Sequence, residues 1–291
     1  MSNELVRAVA RDGNLRFVVV RNTELVQVIA NQHQLKGALL SPFGNIITTA
    51  QLLATQLKGP GTASVRLESD GIMSFAAADS TPFGLTRALV PQKVLEAAAL
   101  DPSRPVVGKG TLSVTKILNH GAQPYKGIVQ LVPGSVALSV AYYLDKSEQI
   151  RSCVGLATSF DHAGVVSSGG FMVQVFPKTP ESSIERMEET VGSLGDMSEL
   201  FAKSVDCEGV LERLADGFDV EVVRRDQPSF HCPCTRERST TAVIALGAEE
   251  IEALSRSNEP LNITCDYCRE RYAFSPDELA AICQKLRSTD G

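Results

Sequence analysis

Two short cysteine motifs constrain this chain more than any other feature. They are Cys232-Pro233-Cys234, in the segment FHCPCTRER, and Cys265-Asp266-Tyr267-Cys268, in CDYCRERYAFS. Thirty residues separate Cys234 from Cys265. A tetrahedral metal site needs four ligands, and two close pairs supply them when each sits on a tight turn and the intervening chain folds back. The competing reading, four unrelated buried thiols, requires two independent close pairs within 37 residues by accident. The pattern therefore predicts one zinc ion per chain, bound by Cys232, Cys234, Cys265 and Cys268.

The site also bears on the unit around it, expected over residues 228–291. A module of about 60 residues rarely buries enough surface to stand alone. A structural zinc can contribute on the order of 10–16 kcal/mol, so folding and metal binding should be one event. Four thiolates around zinc carry a formal charge of −2, and Arg236, Arg238, Arg269 and Arg271, each within four residues of a ligand, are placed to offset it. Most zinc ribbons use C-x-x-C at both ends, whereas the first pair here is C-x-C. A disulfide closed over one residue forms a small, strained ring, and strained disulfides belong to the labile class. That pair suits a reversible switch better than a permanent staple.

The other three cysteines, Cys153, Cys207 and Cys283, lack close partners and sit among apolar neighbours, as small core residues do. Seven cysteines in a long chain do not suggest a secreted disulfide framework. The opening MSNELVRAVARDG has neither an apolar stretch followed by a small-residue cleavage site nor the Arg- and Ser-rich character of a transit peptide. No apolar run approaches the roughly 18 residues needed to span a bilayer. A cytoplasmic protein without membrane partners is the expectation.

Charge is spread unevenly along the chain. Residues 1–179 carry 16 Lys and Arg against 11 Asp and Glu, residues 180–223 carry 3 against 12, and residues 224–291 carry 9 against 11. The concentrated basic patch of a nucleic-acid binder is missing from the linear sequence. The core must rest on Val, Leu, Ile and Ala, because there is no Trp and only 5% of residues are aromatic.

Local patterns predict an α+β fold: a large N-terminal domain of mixed helices and antiparallel sheets over residues 1–179, a helical linker over 180–227 and the zinc module over 228–291. NLRFVVVR (14–21) reads as a strand after the turn Asp12-Gly13, and Thr23-Glu24-Leu25 opens a helix to about Gln34. Helical spacing runs from Asn45 to Lys58 and stops at Gly59-Pro60-Gly61. SVRLES and IMSFAAA flank Asp70-Gly71, a two-residue hairpin signal. GKGTLSVTKIL and KGIVQLV read as strands, and Ser135 to Gln149 as a helix. RSCVGLATSF and GVVSSGGFMVQVFP then form a hairpin through Asp161-His162-Ala163-Gly164. In the acidic segment Ile184, Met187, Val191 and Leu194 fall at helical spacing, as do Leu211, Leu214 and Phe218, with Gly192, Gly195, Gly209 and Gly217 interrupting. Short acidic helices with few apolar anchors describe a segment of low local stability.

Other constellations are weaker. Gly108-Lys109-Gly110-Thr111 resembles part of a phosphate loop, but the required earlier glycine is replaced by Ser103. Asp161-His162 has no accompanying nucleophile, and a hairpin loop explains both residues. His33 and His120 read as surface or helix-end histidines, and Ser168-Gly169-Gly170 as a bend in a strand.

Taken together, FHCPCTRER and CDYCRERYAFS, with VRAVARDGNLRFVVVR, VGKGTLSVTK, AYYLDKSEQI and SSGGFMVQVFP, make the chain resemble the heat-shock-protein-33 family of redox-regulated chaperones over nearly its whole length. GALLSPFGNIITTAQLLA departs from the Ala-rich helix expected of that family. The resemblance implies a non-enzymatic, ATP-independent holdase whose reduced, zinc-bound form is inactive. It implies further that oxidants release the zinc and form Cys232–Cys234 and Cys265–Cys268 disulfides. The linker then unfolds, the protein becomes a homodimer, and unfolded client proteins bind. Two other classes are open to a chain with such cysteines: a zinc-ribbon module acting on nucleic acid, and a thiol–disulfide oxidoreductase working through Cys265 and Cys268.

Overall fold

The computed structural model describes residues 3–12, 14–100, 103–118, 123–204, 206–257 and 259–289, and they divide into two compact units, 1–231 and 232–291. In the first unit the order is β1 (Glu4–Ala10), β2 (Leu15–Arg21), α1 (Thr23–Gln32), α2 (Leu40–Ala54), β3 (Gly61–Ser69), β4 (Phe75–Ser80), β5 (Leu85–Leu89), α3 (Gln92–Leu100), β6 (Gly110–Leu118), β7 (Tyr125–Gln130), α4 (Val136–Ser147), β8 (Ser152–Asp161) and β9 (Gly164–Val175). There follow α5 (Glu181–Ser193), α6 (Met197–Lys203), α7 (Cys207–Leu214), β10 (Val220–Asp226) and β11 (Ser229–Phe230). The second unit holds α8 (Arg236–Ile244), α9 (Ala248–Arg256), β12 (Leu261–Thr264), β13 (Arg271–Phe274) and α10 (Pro276–Thr289).

One sheet runs β10-β1-β2-β9-β8 and a second β11-β5-β4-β3-β6-β7; all pairings are antiparallel except β11 with β5. The fold class is thus α+β, as the irregular succession of strands and helices predicts. Helix α2 lies between the sheets, packing on β8 and β9 of the first and on β3 and β4 of the second, and nearly all its side chains are buried. That position explains its polar residues. Asn22 Nδ2 donates to Thr48 Oγ1 at 2.9 Å and to Gln51 Oε1 at 2.6 Å, and Gln51 Nε2 donates to Thr86 Oγ1 at 3.1 Å. Buried polar groups with partners are tolerated in a core, so the departure from an Ala-rich helix is accommodated in a regular one. It begins five residues earlier than its spacing suggests, and Pro42 sits within the first turn, where a missing N–H costs nothing.

The central strands of the first sheet, β1, β2 and β9, are buried on both faces over most of their length. Alternation along β2 sends Val18 and Val20 into the core shared with α1 and α2, while Leu15, Phe17 and Val19 point the other way. Their second face is covered by the acidic segment: Met187, Leu194, Leu200, Phe201, Val210, Leu211 and Leu214 complete a separate core with Phe17, Val19 and Phe171. Gly169 makes this possible, because a Cβ there would stand 2.5 Å from the Phe201 ring. The segment is also tied by charge. Arg151 pairs with Glu188 at 2.9 Å, Arg11 with Asp219 at 3.2 Å, and the buried Arg21 guanidinium donates to the carbonyls of Phe201 and Ser204. Its end is not helical: Val220–Asp226 is a strand that extends the sheet beside β1.

Several local expectations are corrected. Asp70-Gly71 does not make a two-residue turn; β3 and β4 are joined by a wider loop whose Ile72 and Met73 amides donate to Pro105 O and Val106 O, which buries both side chains. Ser168-Gly169-Gly170 runs straight through β9, and the irregularity in that hairpin falls at Ser159/Phe160 instead. His33 does end α1 but is buried, its Nε2 3.0 Å from Ala88 O. His120 and Gly13 lie outside the described residues. Gly108-Lys109-Gly110 leads into a strand rather than a helix, so it has no phosphate-binding geometry. Asp161 caps its own hairpin turn, accepting from Ala163 N at 2.7 Å.

Candidate metal centre

The second unit has a small core of its own, formed by Val243, Ile251, Phe274, Leu279 and Cys283. Cys232 and Cys234 lie on the extended segment just before α8, whose N-cap Thr235 accepts from Arg238 N at 3.3 Å. Cys265 and Cys268 lie on the loop joining the antiparallel strands β12 and β13. That loop is closed by Cys265 N donating to Glu270 O and Arg269 N donating to Cys265 O, both at 2.9 Å. To make the turn Arg269 adopts φ +62°, the left-handed region that usually takes glycine.

The hairpin brings all four sulfurs within 4.8 Å of one another. Cys232 Sγ is 3.7 Å from Cys265 Sγ, and Cys234 Sγ is 3.2 Å from Cys268 Sγ. Zinc–sulfur bonds of about 2.3 Å in a tetrahedron place sulfurs about 3.8 Å apart, so the donor set fits a closed four-sulfur metal site. All seven cysteines are free thiols. Burial raises the Cys232 and Cys268 thiols. For Cys234 burial also pushes upward, but hydrogen bonds from the Tyr272 hydroxyl and the neighbouring thiols outweigh it and leave the thiol lowered. A cation entering the cluster would therefore displace protons as it binds.

Cys207 and Cys283 are buried and Cys153 is half-buried, in agreement with their reading as small core residues. Burial raises Cys207 well above, and Cys153 above, the ordinary thiol range, which suppresses the reactive thiolate. Of the four arginines near the ligands, Arg236 is engaged elsewhere: it pairs with Glu278 at 2.6 Å and lies 4.6 Å from the Phe274 ring, fastening α8 to α10. Glu278 in turn accepts from Ser275 N while Ser275 Oγ accepts from Glu278 N. That reciprocal cap is legible as S-x-x-E ahead of α10. Tyr272, whose hydroxyl donates to Cys234 Sγ at 3.3 Å, carries no spacing signal that could have found it.

A family model described as Hsp33 protein matches residues 3–275. The chain belongs to the Hsp33 family. Two relatives named 33 kDa chaperonin show how evenly the likeness to Hsp33 proteins is spread. That of Symbiobacterium thermophilum is 34% identical, with 99% of each chain covered. That of Bacillus subtilis is 31% identical, covering 96% of this chain and 97% of its own. The crystal structure of the 33 kDa chaperonin (heat shock protein 33 homologue) of Thermotoga maritima superposes with a TM-score of 0.87 at 26% identity, over 99% of this chain and all of that one. The Hsp33 fold therefore accounts for both sheets, the covering helices and the cysteine-bearing unit. Among the described residues no helix is long and apolar enough to cross a membrane.

Proposed function

We propose that this chain is a redox-regulated, ATP-independent holdase. In this reading residues 1–179 bind unfolding client proteins, 180–227 form the covering linker, and 228–291 form the zinc-binding switch. The observation that carries it is the convergence of four cysteine sulfurs within 4.8 Å, inside a unit too small to depend on its apolar core alone.

Cys232, Cys234, Cys265 and Cys268 hold one zinc ion in the reduced chain. Bound zinc supplies the cross-link that keeps the small unit folded. Under peroxide, Cys232 pairs with Cys234 and Cys265 with Cys268. As each disulfide forms, its two thiolates give two electrons to one peroxide, which takes up two protons from solvent and leaves as two waters. Sulfurs in disulfides are no longer thiolate ligands, so the unit loses its metal and its fold. The linker then leaves the first sheet, exposing Phe17, Val19 and Phe171, an apolar surface suited to unfolded chains. Chain dimerisation accompanies activation. The protein works in the cytoplasm, turns over no substrate, and needs neither nucleic acid nor membrane.

The test is zinc content and suppression of client aggregation, each measured before and after peroxide. Reduced protein should hold one zinc per chain and protect poorly, and oxidised protein should hold none and protect well. The Cys265→Ser variant should fail to retain zinc. Stoichiometric zinc in that variant, or equal protection in both redox states, overturns the reading. Insulin reduction at a catalytic rate would favour an oxidoreductase, and salt-dependent binding to RNA or DNA a nucleic-acid module.

A further inference from the structure

The four cysteines are not equivalent: the Cys234 sulfur takes a side-chain hydrogen bond from Tyr272, whereas Cys232 and Cys268 meet the backbone of Cys234 and Glu270. Tyr272 sits on β13 opposite Ile263 of β12 and packs against the core of Val243, Ile251, Phe274, Leu279 and Cys283. Its backbone position is thus set by the hairpin and its ring by the core, not by the Cys232–Cys234 segment. From there its hydroxyl donates to Cys234 Sγ at 3.3 Å, across 38 residues of sequence. A phenol has one proton to give, and the Cys234 sulfur accepts it here.

We infer that Tyr272 is a positioning residue for the switch: its hydrogen bond holds Cys234 in the ligand set and slows both metal loss and oxidation at that sulfur. The inference rests on the zinc-switch reading above and adds a residue that sets how readily the switch trips. Two physical effects act together. Groups hydrogen-bonded to metal ligands fix ligand orientation, and removing one typically lowers metal affinity about 10- to 100-fold. A hydrogen bond also stabilises the sulfur lone pair that must attack an oxidant. In that step the Cys234 thiolate forms an S–O bond with peroxide, the O–O bond breaks, and hydroxide leaves. The Cys232 thiolate then attacks the resulting sulfenic acid, the S–S bond forms, and a second hydroxide leaves. Two electrons pass from the sulfurs to peroxide, and two protons convert the hydroxides to water. Weakening the nucleophile in the first step slows the sequence.

The experiment compares full-length wild type with Tyr272→Phe, which removes only the hydroxyl, and with Ile263→Val, which loosens the same hairpin without touching it. Three quantities are measured on reduced protein: zinc affinity against a chromophoric chelator, zinc release rate under peroxide, and the sulfur-to-metal charge-transfer band after Co2+ replaces zinc. Tyr272→Phe should bind zinc about 10-fold or more weakly, release it faster under peroxide, and shift the charge-transfer band to lower energy. Ile263→Val should leave the band where it is. The band reports electron density on sulfur, which a merely looser core would not move. A Tyr272→Phe protein with wild-type affinity, release rate and band overturns the inference, as does an equal band shift in Ile263→Val. A wild-type protein that holds no zinc, or keeps it under peroxide, instead overturns the zinc-switch reading beneath it.

Discussion

Truncating Phe201 tests the covering role of the acidic segment most directly. Its ring is fully buried, and it belongs to the core formed by α5–α7 on the first sheet, not to the core between the two sheets. It also fills the notch left by Gly169. Phe→Ala in such a site costs about 3–5 kcal/mol in transfer and cavity terms. At about 1.4 kcal/mol per tenfold, this shifts the equilibrium between docked and released segment by more than 100-fold. That is a large share of a domain stability of about 5–15 kcal/mol. The exposed pairs Arg151–Glu188 and Arg11–Asp219 contribute little by comparison and are screened by salt. Reduced, zinc-bound Phe201→Ala protein should therefore suppress client aggregation without oxidant, while Arg151→Gln should behave as wild type at moderate salt. Hydrogen exchange should show residues 184–214 losing protection while β3 and β6 keep theirs. Unchanged protection in 184–214, or parallel loss in β3 and β6, would refute the idea of a separately releasable cover.

Zinc affinity should rise with pH across neutrality, because the raised Cys232 and Cys268 thiols bind protons in the metal-free unit that the cation must displace; chelator competition at pH 6 and pH 8 measures the slope. A variant lacking Cys153, Cys207 and Cys283 should still form both disulfides under peroxide, read by mass spectrometry, since none of the three lies in the sulfur cluster. Arg269→Gly should stabilise the zinc-bound unit by about 1 kcal/mol by relieving the left-handed backbone, seen as a higher Tm; an unchanged or lower Tm means the arginine's contacts outweigh the strain.

The hairpin of β8 and β9, the strands β2, β6 and β7, and the helices α1 and α4 follow local periodicity closely. Helical spacing identifies few anchors in the linker, yet Leu200, Phe201, Val210 and Cys207 join Met187, Leu211 and Leu214 in a full core. Phe218 lies beyond α7, after Gly217 at φ +77°, and packs its ring against Phe17. Helical spacing within short stretches could not reveal this, because α6 has only seven residues and no complete repeat. Strand β10 carries no strand signal of its own, because VEVVRRD is charged and largely exposed, and only pairing with β1 makes it a strand.

By itself the sequence marked Cys232, Cys234, Cys265 and Cys268 as a candidate metal-binding set, and the structure brings their sulfurs within 4.8 Å of one another. Two cysteine pairs with a long return between them leave few arrangements other than one shared tetrahedral site. It also carried, in the unbroken apolar run Phe17-Val18-Val19-Val20, the need for a sheet covered on both faces. What covers the second face was decided only by tertiary structure, since that contact joins residues some 180 positions apart, as Arg21 reaches the carbonyl of Phe201. The tertiary structure alone also placed the Tyr272 hydroxyl on Cys234. Local patterns report the faces a segment must bury; which partner buries them depends on the path of the whole chain.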